Sequence, residues 1–135
     1  MKIAGILETC LYAPDLEAAE AFYKGIFGLE VFAKAPGRHI FFRCGQAMFL
    51  IFNPETTSRE AKTPHGTTGG GHICFQIRDE EIPAWRDWLA SKKVAIEDEV
   101  TWGNGARSIY FRDPAGNCLE VASPKLWEMA KWLDG

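Results

Sequence analysis

Glu8, Cys10, Tyr12, His72, Cys74, Ser108, Tyr110, Cys118 and Glu120, all able to do chemistry, fall on one side of four short extended segments. Successive side chains of a strand point to opposite faces. Near the start of the chain, Leu7 and Leu11 oppose Glu8, Cys10 and Tyr12. In 72–78, Ile73, Phe75 and Ile77 oppose His72, Cys74 and Gln76. In 107–112, Ile109 and Phe111 oppose Ser108, Tyr110 and Arg112, and in 118–122, Leu119 and Val121 oppose Cys118, Glu120 and Ala122. Helices must cover one face, and the apolar face is the natural choice. Cysteine and tyrosine suit a fully wetted surface poorly, so a curled sheet with this second set on its concave side makes a polar-lined cavity. Two carboxylates facing one cavity repel, and one is driven protonated unless a cation sits between them. The hydroxyls of Ser108 and Tyr110 can hydrogen-bond an anionic oxygen of a bound molecule. The plainer alternative is a solvated sheet face, with His72 a half-buried, hydrogen-bonded ring.

The elements that carry these residues repeat. Residues 8–15 (ETCLYAPD) match 72–79 (HICFQIRD) at a spacing of 64, and 38–43 (RHIFFR) match 107–112 (RSIYFR). Self-similarity in the same order points to a duplicated module. In each copy a strand (3–12; 71–78) ends at an aspartate able to cap a helix. The first helix, 15–27, carries Leu16, Ala19, Phe22, Tyr23 and Phe27 at helical spacing and stops at Gly28. The second, 80–91, carries Ile82, Trp85 and Leu89 on one face. A short strand and a hairpin follow each helix, turning at Cys44-Gly45-Gln46 and at Asp113-Pro114-Ala115-Gly116-Asn117. The expected plan is β-α-β-β-β twice: modules 1–53 and 71–123, a linker 54–70, and a short helix 124–133 opening on Pro124.

Composition narrows the function. The chain has 135 residues, 47% apolar and 24% charged, which is ordinary globular balance and excludes disorder and fibrous repeats. A net charge of -3 leaves no basic surplus to neutralise phosphates, so nucleic acid is not an expected partner. No apolar run is long enough to span a bilayer, and Glu8 interrupts the one N-terminal stretch that resembles a signal peptide. The four cysteines form no C-x-x-C pair and read as free thiols in a cytoplasmic protein.

Three stretches now carry a resemblance: GHICFQIRD (71–79), YFRDPAGNCLEV (110–121) and DLEAAEAFYKGIFGL (15–29). With these the sequence resembles the vicinal oxygen chelate superfamily, the group of glyoxalase I, extradiol dioxygenases, methylmalonyl-CoA epimerase, fosfomycin-resistance thiol transferases and bleomycin-resistance proteins. The resemblance covers nearly the whole chain. It implies an α+β fold, two βαβββ modules forming an open curved mixed β-sheet barrel around one divalent metal ion. Carried over by position, it implies His72 and Glu120 as metal ligands, with Glu8 standing where most members have His or Gln. A carboxylate there still suits a hard divalent ion. A fourth ligand from the first module is absent, because Phe49 aligns with Glu120, or Leu50 after a slip of one. One imidazole and two carboxylates lean towards Mn, Fe or Mg, with Ni, Co and Zn open. Ser108 and Tyr110 match positions where fosfomycin-resistance enzymes hold their phosphonate, and His39 is the repeat partner of Ser108.

The resemblance thus implies a metal-dependent enzyme of lyase or isomerase type that chelates two oxygens of a small substrate. Glu8 and Glu120 are its candidate catalytic carboxylates, Glu8 as proton shuttle, and His39, Ser108 and Tyr110 its candidate substrate-binding residues. The alternatives are a non-catalytic bleomycin-resistance-type binding protein, a fosfomycin-resistance-like thiol transferase, or a ring-opening dioxygenase. Family members of this size are usually homodimers. A linker of about 18 residues spans up to roughly 60 Å, enough to exchange modules between two chains, so that Glu8 of one chain would meet His72 and Glu120 of the other. Cys10, Cys74 and Cys118 read as small packing residues or as reactive thiols. His65 is a linker residue able to close over a ligand, Trp102 could flank the cavity mouth, and Arg43 and Arg112 are solvated strand ends or a clamp for an anion.

Overall fold

The computed structural model describes residues 1–128. The order of elements is β1 (Glu8–Tyr12), α1 (Leu16–Phe27), β2 (Glu30–Ala35), β3 (His39–Cys44), β4 (Ala47–Phe52), α2 (Pro54–Thr57), β5 (His72–Gln76), α3 (Ile82–Ser91), β6 (Ile96–Thr101), β7 (Arg107–Arg112) and β8 (Cys118–Ala122). The strands form two open four-stranded mixed sheets, ordered β1-β4-β3-β2 and β5-β8-β7-β6. In each, the first strand lies parallel to the last and the other pairs are antiparallel. The β-α-β-β-β plan is therefore present twice. Both copies also carry a bulge at the same place, between Val31 and Ala33 in β2 and between Ile96 and Asp98 in β6. No helix among the described residues is long and apolar enough to cross a membrane.

The chain divides into two compact units: Met1–Gly71 with Asp113–Asn117, and His72–Arg112 with the chain from Cys118 onward. In unit one, α1 starts at Asp15, whose side chain accepts the Ala18 N–H at 3.0 Å, and ends at Gly28 in the left-handed region. Its buried stripe is Leu16, Ala19, Tyr23 and Ile26. Tyr23 packs on Phe42 of β3 and Phe49 of β4, with ring centroids 5.9 and 4.9 Å away. Ile40 and Ile51 complete that face at 4% and 0% exposure. In unit two, Ile82 and Leu89 of α3 are buried, as are Ile109, Phe111, Leu119 and Val121 of its sheet. The apolar parity of the sequence thus marks the core face of both sheets, each such side chain contributing about 1.5–3 kcal/mol by leaving water.

Several elements differ from the sequence reading. The strand expected over 3–12 is only β1, because its partner β4 begins at Ala47 and pairing ends with the Met48 N–H donating to Leu7 O. Residues 53–70 are not uniformly loop: Asn53 caps the single turn α2 by accepting the Glu55 N–H at 3.1 Å. Asp79 does not cap a helix over 80–91. It opens a 3-10 turn, Asp79–Glu81, and its carboxylate and carbonyl accept from Arg107, while Pro83 occupies the first turn of α3. Of the helix expected over 124–133, Pro124–Glu128 form a 3-10 turn and the rest lies outside the described residues.

The turn at 113–117 is closed by its own aspartate. Asp113 is 5% exposed, and its carboxylate accepts the Asn117 N–H at 2.8 Å, the Asn117 amide at 2.9 Å and the Tyr23 hydroxyl at 2.7 Å. Burial, then the Asp113 charge, holds the Tyr23 phenol far above its usual pKa, so it remains a donor. Tyr23→Phe keeps the ring and removes one donor to a buried charge. The expected loss is about 1.5–3 kcal/mol of unfolding free energy in urea titration; a loss below about 0.5 kcal/mol would mean that the hydroxyl contributes nothing beyond packing.

Candidate functional site

Unit two gathers four of the expected site residues on the face of its sheet opposite α3. The register sets His72 beside Cys118, Cys74 beside Glu120, Tyr110 across from Glu120, and Ser108 across from Ala122. All belong to the polar parity, so strand alternation alone brings them to one side. At the centre, His72 Nε2 lies 3.3 Å from Glu120 Oε1. The Glu120 side chain is 6% exposed and that of His72 50%.

The hydrogen bonds fix what each atom offers. His72 Nδ1 is 2.9 Å from the Cys118 carbonyl, which can only accept, so Nδ1 carries the proton. In the neutral ring, Nε2 then presents a lone pair to a carboxylate oxygen. Two acceptors at this distance repel unless a proton or metal ion lies between them. The other Glu120 oxygen accepts from the Ser108 hydroxyl at 2.5 Å, and Ser108 Oγ in turn accepts the Trp102 indole N–H at 2.9 Å. Trp102, Ser108 and Glu120 thus form a relay that holds Oε2 and leaves Oε1 towards His72.

Tyr110 stacks beside His72, with centroids 6.2 Å apart. Its phenol is pushed up to about 12, first by burial and then by the charge of Glu120. The Cys74 thiol is likewise pushed up to about 12, by loss of water around the sulfur and then by Glu120. Both groups are therefore protonated donors at neutral pH rather than anions. A groove lined by Glu97, Asp98, Val100, Tyr110 and Cys118 opens beside the phenol.

Glu8 and His39 belong to unit one. Glu8 is exposed at the start of β1, beside Met48. His39, on the other side of β4, lies across from Phe52, four residues along that strand from Met48, and stacks on Phe41 at 3.9 Å. Arg38 places an N–H 2.7 Å from His39 Nδ1, and burial followed by the Arg38 charge holds the His39 pKa below its ordinary value. The unit-one ladder also settles the slip of one residue. Glu8 pairs with Met48 and Cys10 with Leu50, as His72 pairs with Cys118 and Cys74 with Glu120, so Leu50 is the counterpart of Glu120. Neither Leu50 nor Phe49 can ligate. Among the described residues no group of three His, Cys, Asp or Glu side chains is placed to hold a metal ion.

The other residues singled out in the sequence have definite partners. His65 Nδ1 lies 2.7 Å from the Tyr12 hydroxyl and its ring packs edge-on against Phe52. Arg112 pairs with Glu97, and Arg43 lies over the Phe32 ring at 4.6 Å. Two features were not readable from spacing: the Trp102 donor to Ser108, and the Arg38–Glu60 ion pair that ties the 53–70 segment to β3. The recurring RHIFFR and RSIYFR strings mark the strands but carry no sign of these partners.

The model of the Glyoxalase/Bleomycin resistance protein/Dioxygenase superfamily matches residues 5–121. The chain is similar to lactoylglutathione lyase from Agrobacterium tumefaciens in crystal form, with TM-score 0.89 and 45% identity, covering 93% of this chain and 98% of that one. Metallothiol transferase FosB of Bacillus licheniformis is 28% identical over 132 residues, 97% of this chain and 82% of the relative. A variant of the fosfomycin resistance protein FosX from Listeria monocytogenes, complexed with Mn(II) and 1S,2S-dihydroxypropylphosphonic acid, is 25% identical at TM-score 0.70, covering 90% of this chain and 91% of that one.

The charge of Glu120 sets the second cause of the Tyr110 shift, which gives a pH prediction. A phenol raised from 10.0 to about 12 contributes stability fully below pH 10, and that contribution is lost as pH climbs through about 12. In metal-free protein, Glu120→Gln is expected to lower the Tyr110 midpoint measurably in a ring-carbon NMR titration of the three tyrosines. An unmoved midpoint would separate Tyr110 from Glu120.

Proposed function

The chain belongs to the glyoxalase/bleomycin resistance/dioxygenase superfamily, and on that footing we propose that it is a divalent-metal-dependent enzyme of lyase or isomerase type acting on a small oxygen-rich substrate. The observation that carries this reading is the pair of acceptors, His72 Nε2 and Glu120 Oε1, facing each other at 3.3 Å. An imidazole nitrogen and a carboxylate oxygen are donors that Mn, Fe, Ni, Co, Zn or Mg accept in differing degree, so the residues present fit the ion. His72 and Glu120 would hold it with Glu8 as third ligand. The bound ion would supply Lewis-acid polarisation of two neighbouring substrate oxygens.

The chain's own groups supply the rest. The Cys118 carbonyl accepts the Nδ1 proton and so keeps His72 in the tautomer whose Nε2 is free to ligate, as is typical of metal-bound histidine. Ser108 and Trp102 orient Glu120. Tyr110, protonated throughout the neutral range, donates to an anionic oxygen of the substrate, and His39, neutral and held by Arg38, offers its Nε2 N–H to the far end. Glu8 is the carboxylate that moves the proton, as the exposed and least constrained member of the set. Glu8 comes from the partner chain of a homodimer with exchanged modules, and the enzyme works in the cytoplasm.

A second reading has its own support. FosB relatives align over almost the whole chain, and Ser108 and Tyr110 present hydroxyls on the same face as the metal pair. A thiol transfer to a phosphonate epoxide would use the same residues, with Tyr110 donating to the phosphonate. A metal-independent binding protein on this fold is disfavoured by the His72–Glu120 pair.

Titration with Mn(II) is expected to give about one ion per chain, and His72→Ala and Glu120→Ala are each expected to abolish it. No binding of any divalent ion would sink the enzyme reading. Mixing Glu8→Ala with His72→Ala chains is expected to restore one site per mixed dimer; if mixing restores none, the exchanged arrangement is wrong. Loaded protein is then offered methylglyoxal with glutathione, or fosfomycin with a thiol. Turnover of the first supports the lyase and of the second the transferase.

A further inference from the structure

We infer that Asn117 is the positioning residue that aims His72, a role that rests on the reading of His72 as a metal ligand. Asn117 is 2% exposed and sits one residue before β8, while Gly71 sits one residue before β5. The β5–β8 ladder begins at the rung His72–Cys118. At the rung just before it, the Gly71 N–H donates to the Asn117 side-chain oxygen at 2.7 Å. The amide group of the same side chain donates to Tyr12 O at 3.1 Å and to the Asp113 carboxylate at 2.9 Å. One side chain thereby ties the end of β1 and the lead-in to β5 to a turn that Asp113 has already closed.

The consequence for His72 is one of register. Its Nδ1 bond to the Cys118 carbonyl, and so its tautomer, needs His72 level with Cys118. In a parallel ladder, a slip of one residue sends a side chain to the opposite face. The Asn117 tether stops that slip at the residue adjoining His72. Gly70 and Gly71 make the close approach possible: a Cβ on Gly70 would meet Gly116 O at 2.7 Å, and one on Gly71 would meet Leu11 Cδ2 at 2.8 Å. Gly70 is thus a fit to the turn at 113–117, and Gly71 to the Leu11 side chain of β1. The arrangement acts on His72 through the backbone of Gly71, with no side-chain contact from Asn117 to the His72 ring.

The test separates aim from stability. Tyr23→Phe removes a different donor to Asp113 and leaves the Gly71 tether intact, so it serves as the matched destabilised control. In metal-free protein, long-range nitrogen–proton NMR of the three histidine rings reads the His72 tautomer, assigned with His72→Ala. Wild type and Tyr23→Phe are expected to show proton on Nδ1, and Asn117→Ala to show exchange between tautomers. Asn117→Asp keeps an oxygen for Gly71 and is expected to keep the Nδ1 tautomer although it too is less stable. With Mn(II) as probe, Asn117→Ala is expected to bind at least about 10-fold more weakly, and Tyr23→Phe within about threefold of wild type.

Equal behaviour of Asn117→Ala and Tyr23→Phe, whether both unchanged or both impaired alike, overturns the positioning role. If Asn117→Ala does not fold, Gly70→Ala probes the same tether from the other strand, and an unaltered His72 tautomer there overturns it. A wild type that binds no Mn(II) defeats the enzyme reading alone, since the tautomer measurement still decides whether Asn117 aims the ring.

Discussion

A carboxylate buried in a turn has to be saturated with donors, and Asp113 is the point from which the rest of this structure can be followed. An ionised group at 5% exposure is tolerated only when its oxygens are occupied. Three donors do this: the Tyr23 hydroxyl from α1 and two N–H groups of Asn117. Tyr23 must then point its ring through the core of unit one, against Phe42 and Phe49, which fixes how α1 lies on β3 and β4. Asn117, having satisfied Asp113, has an oxygen and one amide hydrogen left to hold two strand ends. A single buried charge therefore sets a helix, a turn and the start of a strand together.

The two modules spend the same backbone differently. Their strand orders, parallel closures and bulges coincide, yet the side chains at matching rungs diverge: Glu8 against His72, Phe41 against Tyr110, Leu50 against Glu120, His39 against Ser108. In unit one the face away from α1 carries Leu50 and Phe52, both 7% exposed, with Phe41 stacked on His39. In unit two the corresponding face holds a buried carboxylate, a hydroxyl relay and an imidazole. The same face of the βαβββ plan is thus apolar in unit one and polar in unit two.

Much of this was legible in the sequence. Alternation along strands separates Ile109, Phe111, Leu119 and Val121 from Ser108, Tyr110 and Glu120, and the structure keeps that separation because each face of a pleated strand has one environment. The family resemblance rested on three stretches, 15–29, 71–79 and 110–121, and all three fall within the matched span 5–121. What could not be read was the partner of a side chain in a distant element. Trp102 and Ser108 are near neighbours across a loop, Arg38 and Glu60 are joined only when the 53–70 segment folds back, and nothing in their spacing announces either bond. The cap assigned to Asp79 failed for the same reason: Arg107, remote in sequence, competes for its carboxylate. The extent of β1 was misjudged because apolar residues before Glu8 look like strand, whereas a strand lasts only as long as its neighbour.

The turn at 113–117 lies in unit one although both strands it joins lie in unit two. The halves of the sequence repeat are consequently not the halves of the folded molecule. A fragment cut between residues 70 and 71 would carry the turn away from Tyr23 and Tyr12, leaving the phenol without its acceptor on one piece and the Asp113 carboxylate short of a donor on the other. Each half of the repeat therefore leaves a buried polar group of the other half to satisfy, and the two halves are interdependent through that one turn.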